Sequence, residues 1–422
     1  MTPRTAPGIV LRDASRLDVD PLLDDLENRI IVCCGAGGVG KTTTAAALGL
    51  RAAERGRKVV VLTIDPARRL AQSMGIDLLD NTPRRVEGLD GPGELHAMML
   101  DMKRTFDEIV EAHADPERAR AILANPFYQS LSAGFAGTQE YMAMEKLGQL
   151  RARDEWDLIV VDTPPSRSAL DFLDAPKRLG SFLDGKLIRL LVAPAKMGGR
   201  AGMKFLNVGM SMMTGTLGKL LGGQLLRDVQ TFVAAMDTMF GGFRTRADAT
   251  YRLLQAPGTA FLVVAAPERD ALREAAYFVE RLAAEEMPLA GLVLNRVHTS
   301  GASRLSAERA LAAAENLDEN GIVDQVDGKA GVRGSTDPSP TVEPAAERPS
   351  PPPTTQLTAG LLRLHAERMQ VLAREQRTRD RFTALHPEVA VTEVGALAAD
   401  VHDLAGLRAI GDRLAAGGSQ AG

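Results

Sequence analysis

Hydrophobic positions fall into two alternating patterns along the chain. Runs that are apolar at nearly every position recur at 30–34 (IIVCC), 58–64 (KVVVLTI), 157–162 (DLIVVD), 261–266 (FLVVAA) and 289–297 (LAGLVLNRV). Short runs without polar alternation fit strands covered on both faces, as in a parallel sheet. Residues 94–100 and 389–394 read as further strands. An amphipathic helix is predicted over 268–286, and residues 101–155 read as helices broken at Pro116 and Pro126. Strands alternating with helices predict an α/β fold: a doubly wound, mostly parallel sheet with an inserted α-helical subdomain.

The same pattern divides the chain. Residues 1–28 read as a polar N-terminal extension, with a short helix near 21–27 and no secretory signal pattern. Segments 29–100, 156–175, 257–300 and 385–415 supply the sheet domain, and 101–155 with 176–256 supply the helical subdomain. Residues 315–356 break the pattern: ENLDENGIVDQVDG gives way to Pro, Ser, Thr and Gly, ending in Pro351-Pro352-Pro353. That composition predicts a disordered or flexible insertion. A charged helix at 357–382, a final helix near 400–415 and a tail at 416–422 close the chain.

Composition removes several functional classes. The net charge of −4 over 422 residues and an aromatic content of 4% argue against a nucleic-acid partner. No apolar run reaches the roughly 18 residues a membrane helix needs, so the expected location is cytoplasmic, either free or peripheral at the inner face of a membrane. The two cysteines, Cys33 and Cys34, are adjacent inside a predicted strand. Neighbours in a strand point to opposite faces and rarely pair, so core packing is their expected role. With no C-x-x-C spacing, no zinc is expected.

The strand at 30–34 runs into Gly35-Ala36-Gly37-Gly38-Val39-Gly40-Lys41-Thr42-Thr43 and then a helical pattern. Strand, glycine loop and helix start, in that order, form a P-loop, which makes the sheet that of a P-loop NTPase. Gly35, Gly37, Gly38, Val39 and Gly40 would cradle phosphate with backbone N–H groups. Lys41 would bring a point charge to the β- and γ-phosphates, Thr42 a hydroxyl for Mg2+, and Thr43 opens the helix. ATP and Mg2+ are therefore the expected cofactors.

Other polar groups sit at strand ends, on the ligand side of such a sheet. Asp65, in Thr63-Ile64-Asp65-Pro66-Ala67, is a candidate for orienting the attacking water; the alternative is the N-cap of a helix over 67–73, and one carboxylate can serve both. Asp162 closes DLIVVD as a carboxylate near Mg2+, and Thr163-Pro164-Pro165-Ser166 suits a segment that senses γ-phosphate. Asn295 ends another strand, and its amide offers the donor and acceptor that an adenine edge requires.

The segment 185–227 carries seven Lys or Arg, no Asp or Glu, and Met197, Met203, Met210, Met212 and Met213. Three readings stand: a helical core with a basic rim, an adaptable apolar groove, or a surface drawn to anionic lipid.

Five markers occur in order: GAGGVGKTT at 35–43, TIDPA at 63–67, DTPPS at 162–166, AAPE at 265–268 and LNRV at 294–297. On these the chain resembles the arsenite-pump and tail-anchored-protein-targeting ATPases, P-loop proteins with a deviant Walker A motif. The resemblance covers roughly 30–300 and extends to 357–415. It implies an ATP-driven dimer with nucleotides at its interface. Within it, Asp65 would be the switch I water-positioning residue, Asp162 the switch II residue near Mg2+, and Asn295 the adenine contact. The methionine-rich stretch would lie where the targeting ATPases hold a hydrophobic client.

The chain departs from that pattern at Ala36, where the family carries a lysine that reaches the partner's nucleotide. Two arrangements accommodate this. One is a homodimer that hydrolyses ATP and couples its state to a hydrophobic client, membrane or transport partner. The other is a hydrolysis-poor regulatory subunit in a heterodimer with a lysine-bearing paralogue. The interface cysteines that hold zinc in the targeting ATPases, and the arsenite-binding cysteines of the pump, have no counterparts outside 33–34.

Overall fold

The computed structural model describes residues 16–64, 69–126, 128–129, 132, 138–164, 242, 245–320 and 353–416. The chain divides into two compact units, Met1–Val297 with Arg381–Gly422, and His298–Asp380.

The first unit is built on strands β1 (Ile30–Gly35), β2 (Lys58–Thr63), β3 (Arg84–Arg85), β4 (Glu94–Met99), β5 (Leu158–Asp162), β6 (Thr259–Ala265), β7 (Leu289–Val297) and β8 (Val391–Gly395). They form one sheet in the order β3-β4-β2-β5-β1-β6-β7-β8. Every pairing is parallel except that of the two-residue β3 with β4. From β1 the chain turns first toward β2 on one side and later, through β6 and β7, toward the other. The order of winding therefore reverses at β1, and the carboxyl ends of the strands around it are where such sheets place ligands.

The apolar runs are buried on both faces, as their sequence predicts. Ile30, Val32, Cys34, Val60, Leu62, Ile159, Val161, Phe261 and Val263 join one core. Ile31, Cys33, Val59, Val61, Leu158, Val160, Leu262 and Val264 join the other. Cys33 and Cys34 are thus unpaired, buried and divided between the two faces.

The first helices are α1 (Val19–Asp24), α2 (Lys41–Glu54) and α3 (Arg69–Ser73). Between β4 and β5 lie α4 (Met102–His113), α5 (Pro116–Leu123) and α6 (Thr138–Arg153). Pro116 opens α5 and does not merely break a helix: the Asp115 carboxylate caps the start, where a proline costs no hydrogen bond. Between β6 and β7 comes α7 (Arg269–Ala284), which matches the amphipathic pattern and buries Leu272, Ala275, Phe278, Val279 and Leu282. Residues 245–255 are helical, while 165–241, which hold the basic methionine-rich segment, lie outside the described residues.

In the second unit, α8 (Ala307–Asn320) and α9 (Pro353–Leu385) each begin or end inside the expected flexible insertion. The helix continues through 315–320 because an alanine-rich start, with Ala310 and Ala314 fully buried, carries the polar residues after it. Residues 321–352 lie outside the described residues. Arg363 pairs with Asp318, and His365 meets the Leu305 carbonyl at 2.8 Å. The last residues of α9, from Arg381, belong to the first unit, which ends with α10 (Leu404–Ala416). Among the described residues no helix is long and apolar enough to cross a membrane.

The amino-terminal edge of the sheet is fastened by Arg57. Its guanidinium is buried and donates to the carbonyls of Leu23, Asp25, Asn28 and Asp157 at 2.5–3.2 Å. Burial holds its pKa below the usual arginine range. Beside it, Arg51 grips Asp20 through two hydrogen bonds of 2.6 and 2.8 Å.

Candidate functional site

At the opposite edge, β1 ends at Gly35 and α2 begins at Lys41. The loop between them can take its path only with glycine. A Cβ on Gly35 would lie 2.0 Å from the Val264 carbonyl oxygen of β6. Gly38 and Gly40 have φ of +76° and +95°, in the left-handed region. Gly37 and Gly38 are exposed, while Ala36 and Val39 anchor the loop in the core.

Gly40 is the N-cap of α2; no side chain caps this helix start, and its first turn holds no acidic residue. α4 and α5 differ: the Asp101 and Asp115 carboxylates accept from the backbone N–H of Arg104 and Arg118. A helix start without its own cap leaves N–H groups and the positive end of the dipole for an anion from outside. Lys41 adds a full charge at the same place. It is only 6% exposed, and its Nζ donates to the Ala36 carbonyl at 2.7 Å, folding the side chain back over the loop.

Asp162 is completely buried at the end of β5. Its Oδ2 accepts from Thr42 Oγ1 of α2 and from Thr63 Oγ1 of β2, both at 2.8 Å. Sheet register explains the meeting. Asp162 is paired with Thr63 on one side and Cys33 on the other, so the three side chains share the face that α2 covers. Burial first, and the Asp162 charge second, push the Cys33 thiol well above its ordinary range. Burial raises Cys34 to about 12, so neither sulfur is a nucleophile at neutral pH. Thr163 turns the chain back onto β1 by donating to the Cys33 carbonyl at 2.9 Å.

Hydroxyl and carboxylate oxygens are the donors that Mg2+ selects. Among the described residues no three His, Cys, Asp or Glu side chains gather as a metal set.

Asn295, 8% exposed, reaches the loop from β7. Its Nδ2 donates to the Val39 carbonyl at 2.9 Å, and its Oδ1 accepts from the Arg296 N–H at 2.9 Å. The structure thus brings Lys41, Thr42, Asp162 and Asn295 together around the glycine loop. Thr43 is half-buried one residue further along α2. Asp65, Pro165 and Ser166 lie outside the described residues. Thr63 was missed by sequence reasoning; its signal was a hydroxyl closing an otherwise apolar strand next to the one that ends in Asp162.

Residues 28–313 match the family model described as anion-transporting ATPase. An ATPase GET3 of Malassezia globosa is 31% identical over 171 residues, 40% of this chain and 49% of that protein, so the match spans about half the relative's length. An ATPase GET3 of Podospora anserina is 25% identical over 287 residues, 68% of this chain and 78% of the relative. An ATPase ARSA2 of Chlamydomonas reinhardtii is 28% identical over 313 residues, 71% and 76% of the two chains.

Proposed function

The chain belongs to the anion-transporting ATPase family and is a P-loop ATPase, and from that premise we propose how it works: it binds Mg2+-ATP at the 35–43 loop and hydrolyses it as a dimer. Nucleotide state is coupled to a hydrophobic client, a membrane surface or a transport partner. The observation that carries the reading is the convergence of an uncapped, glycine-bounded helix start, a buried lysine and a buried carboxylate holding two threonine hydroxyls.

In this reading the α2 N-terminus and the loop N–H groups bind the phosphates, and Lys41 leaves the Ala36 carbonyl for the β- and γ-phosphate oxygens. Thr42 and Asp162 hold Mg2+, with Thr63 steering the carboxylate. Bound Mg2+ supplies neutralisation of charge that builds on the phosphoryl oxygens. Asp65 orients the attacking water, the role its place after β2 and the family resemblance give it. The coupling element is the basic, methionine-rich stretch 185–227, whose side chains suit a changeable apolar partner.

Ala36 supports a second reading, in which this chain is the hydrolysis-poor member of a heterodimer and receives its missing cation from a lysine-bearing paralogue. Cations supplied in trans to phosphoryl transfer are worth about 10³-fold or more. Calorimetric titration of ATP with and without Mg2+, on the wild type and Asp65→Asn, tests the core of the proposal. Mg2+-dependent binding that survives Asp65→Asn while hydrolysis falls is expected; absence of ATP binding by the wild type would end it. Hydrolysis gained by Ala36→Lys in the lone chain would favour the heterodimer.

A further inference from the structure

Asn295, from β7, hydrogen-bonds the phosphate-loop backbone. β7 leaves its ladder with β8 here: the register shifts between Asn295 and Val297, and Arg296 takes φ +60°. That conformation, uncommon for a residue with a Cβ, turns the Arg296 N–H onto Asn295 Oδ1 at 2.9 Å. A backbone N–H must face the oxygen, so the other end of the amide is the NH2, and it is aimed at the Val39 carbonyl 2.9 Å away. The fit continues at the next residue. A Cβ on Gly40 would stand 2.3 Å from Asn295 Nδ2. The loop's last glycine is therefore glycine for two reasons, its φ of +95° and the asparagine against it.

We propose that Asn295 is a positioning residue for the phosphate loop: by holding the Val39 carbonyl outward it keeps the neighbouring N–H groups turned toward the phosphates, whatever base the nucleotide carries. In a peptide plane the carbonyl and the next N–H point in opposite directions. Fixing the Val39 oxygen on the Asn295 side thus turns the Gly40 N–H away from Asn295, toward the hollow of the loop. The role rests on the nucleotide-binding reading above. It is separate from the adenine contact that the family resemblance implies: one hydrogen bond at each end of the amide leaves a second N–H and a second lone pair.

The test uses the full chain, with Asn295→Ala and Asn295→Asp beside the wild type. The aspartate keeps the acceptor for Arg296 and the side-chain volume, and exchanges the donor to Val39 for a charged oxygen that also repels phosphate, so loop exchange without ligand is its diagnostic readout and the alanine is the one read for affinity. Binding is measured for ATP and for inorganic triphosphate, which has no base. Hydrogen exchange of residues 36–41 is followed without ligand, and thermal unfolding controls for global damage. The expected result is a loss of roughly 10-fold in affinity for triphosphate, the size of one buried hydrogen bond with its partner left unsatisfied, and a loss at least as large for ATP. KM rises, kcat changes less, and the ligand-free loop exchanges faster in both variants. A loss confined to ATP, with triphosphate binding and loop exchange unchanged, would assign Asn295 to adenine and overturn the proposal. Unaltered exchange in both variants would overturn it as well. A wild type that binds neither ligand would refute the nucleotide reading, while the exchange measurement would still judge the loop.

Discussion

The two edges of the sheet each bury a cation, and they do so for opposite ends. At the amino edge, Arg57 gives its guanidinium to four backbone carbonyls drawn from two stretches of chain, 23–28 and 157. Those oxygens belong to the backbone framework that the arginine ties together. At the carboxyl edge, Lys41 lies over a glycine loop, beside an uncapped helix start and a carboxylate that collects two hydroxyls. Burial of charge is common to both places and does not mark a site. The marks are surroundings suited to an anion: backbone N–H groups without a cap, glycines in the left-handed region, and oxygens suited to a divalent ion.

The comparison is broken most severely by exchanging the cations' roles. Lys41→Met should cut ATP turnover by about 10³-fold or more while leaving denaturant unfolding nearly unchanged, since a desolvated charge is removed along with its hydrogen bond. Arg57→Leu should do the reverse. Stranding several buried carbonyls should lower unfolding free energy by about 3 kcal/mol, with turnover per folded molecule retained. Equal losses of stability in the two variants would erase the distinction.

Smaller changes sharpen it. Thr63→Val keeps shape and deletes one of the two hydroxyls on Asp162. The Mg2+ concentration needed for half-maximal ATP binding should rise by roughly 10-fold, read by titrating Mg2+ at fixed ATP. At the amino edge, Asp20→Asn removes the carboxylate that Arg51 holds through paired hydrogen bonds, at a cost of about 1 kcal/mol near neutrality. The Arg51 hydrogen bond keeps the Asp20 carboxyl below the usual carboxylate range. Its stabilisation is therefore present above the unfolded pKa of about 3.9 and is lost as pH falls through the lowered folded value. Urea unfolding of wild type and variant should differ at pH 7 and converge below about pH 4; a constant gap would assign the effect to packing.

Much of the carboxyl edge was legible because each part of it is a local pattern. The glycine loop needs β1 before it and α2 after it, and all three are contiguous. The apolar runs of β1, β2, β5 and β6 announce burial on both faces, and the terminal carboxylate of LIVVD lies where the fold puts ligands. What stayed hidden depends on register across the sheet. Thr63 matters because β2 pairs beside β5 with Asp162 opposite it, which no spacing in the chain encodes. Asn295 was read from its chemistry as an adenine partner. Its contact with Val39, 256 positions away in sequence, arises from a left-handed residue at the end of β7. Arg57 sits among charged residues after α2, and only the folded backbone supplies its carbonyls. The alanine-rich start of α8 hid the helical margin of the insertion, because the polar run after it resembles a linker until Ala310 and Ala314 are buried.

The central claim is that the carboxyl edge is a working phosphoryl-transfer site built around Lys41. The most direct measurement is Mg2+-ATP hydrolysis by the purified full chain, with Lys41→Ala as the blank. The account predicts turnover above the blank that disappears when Mg2+ is chelated. Lys41→Ala hydrolysing ATP as fast as the wild type would contradict it.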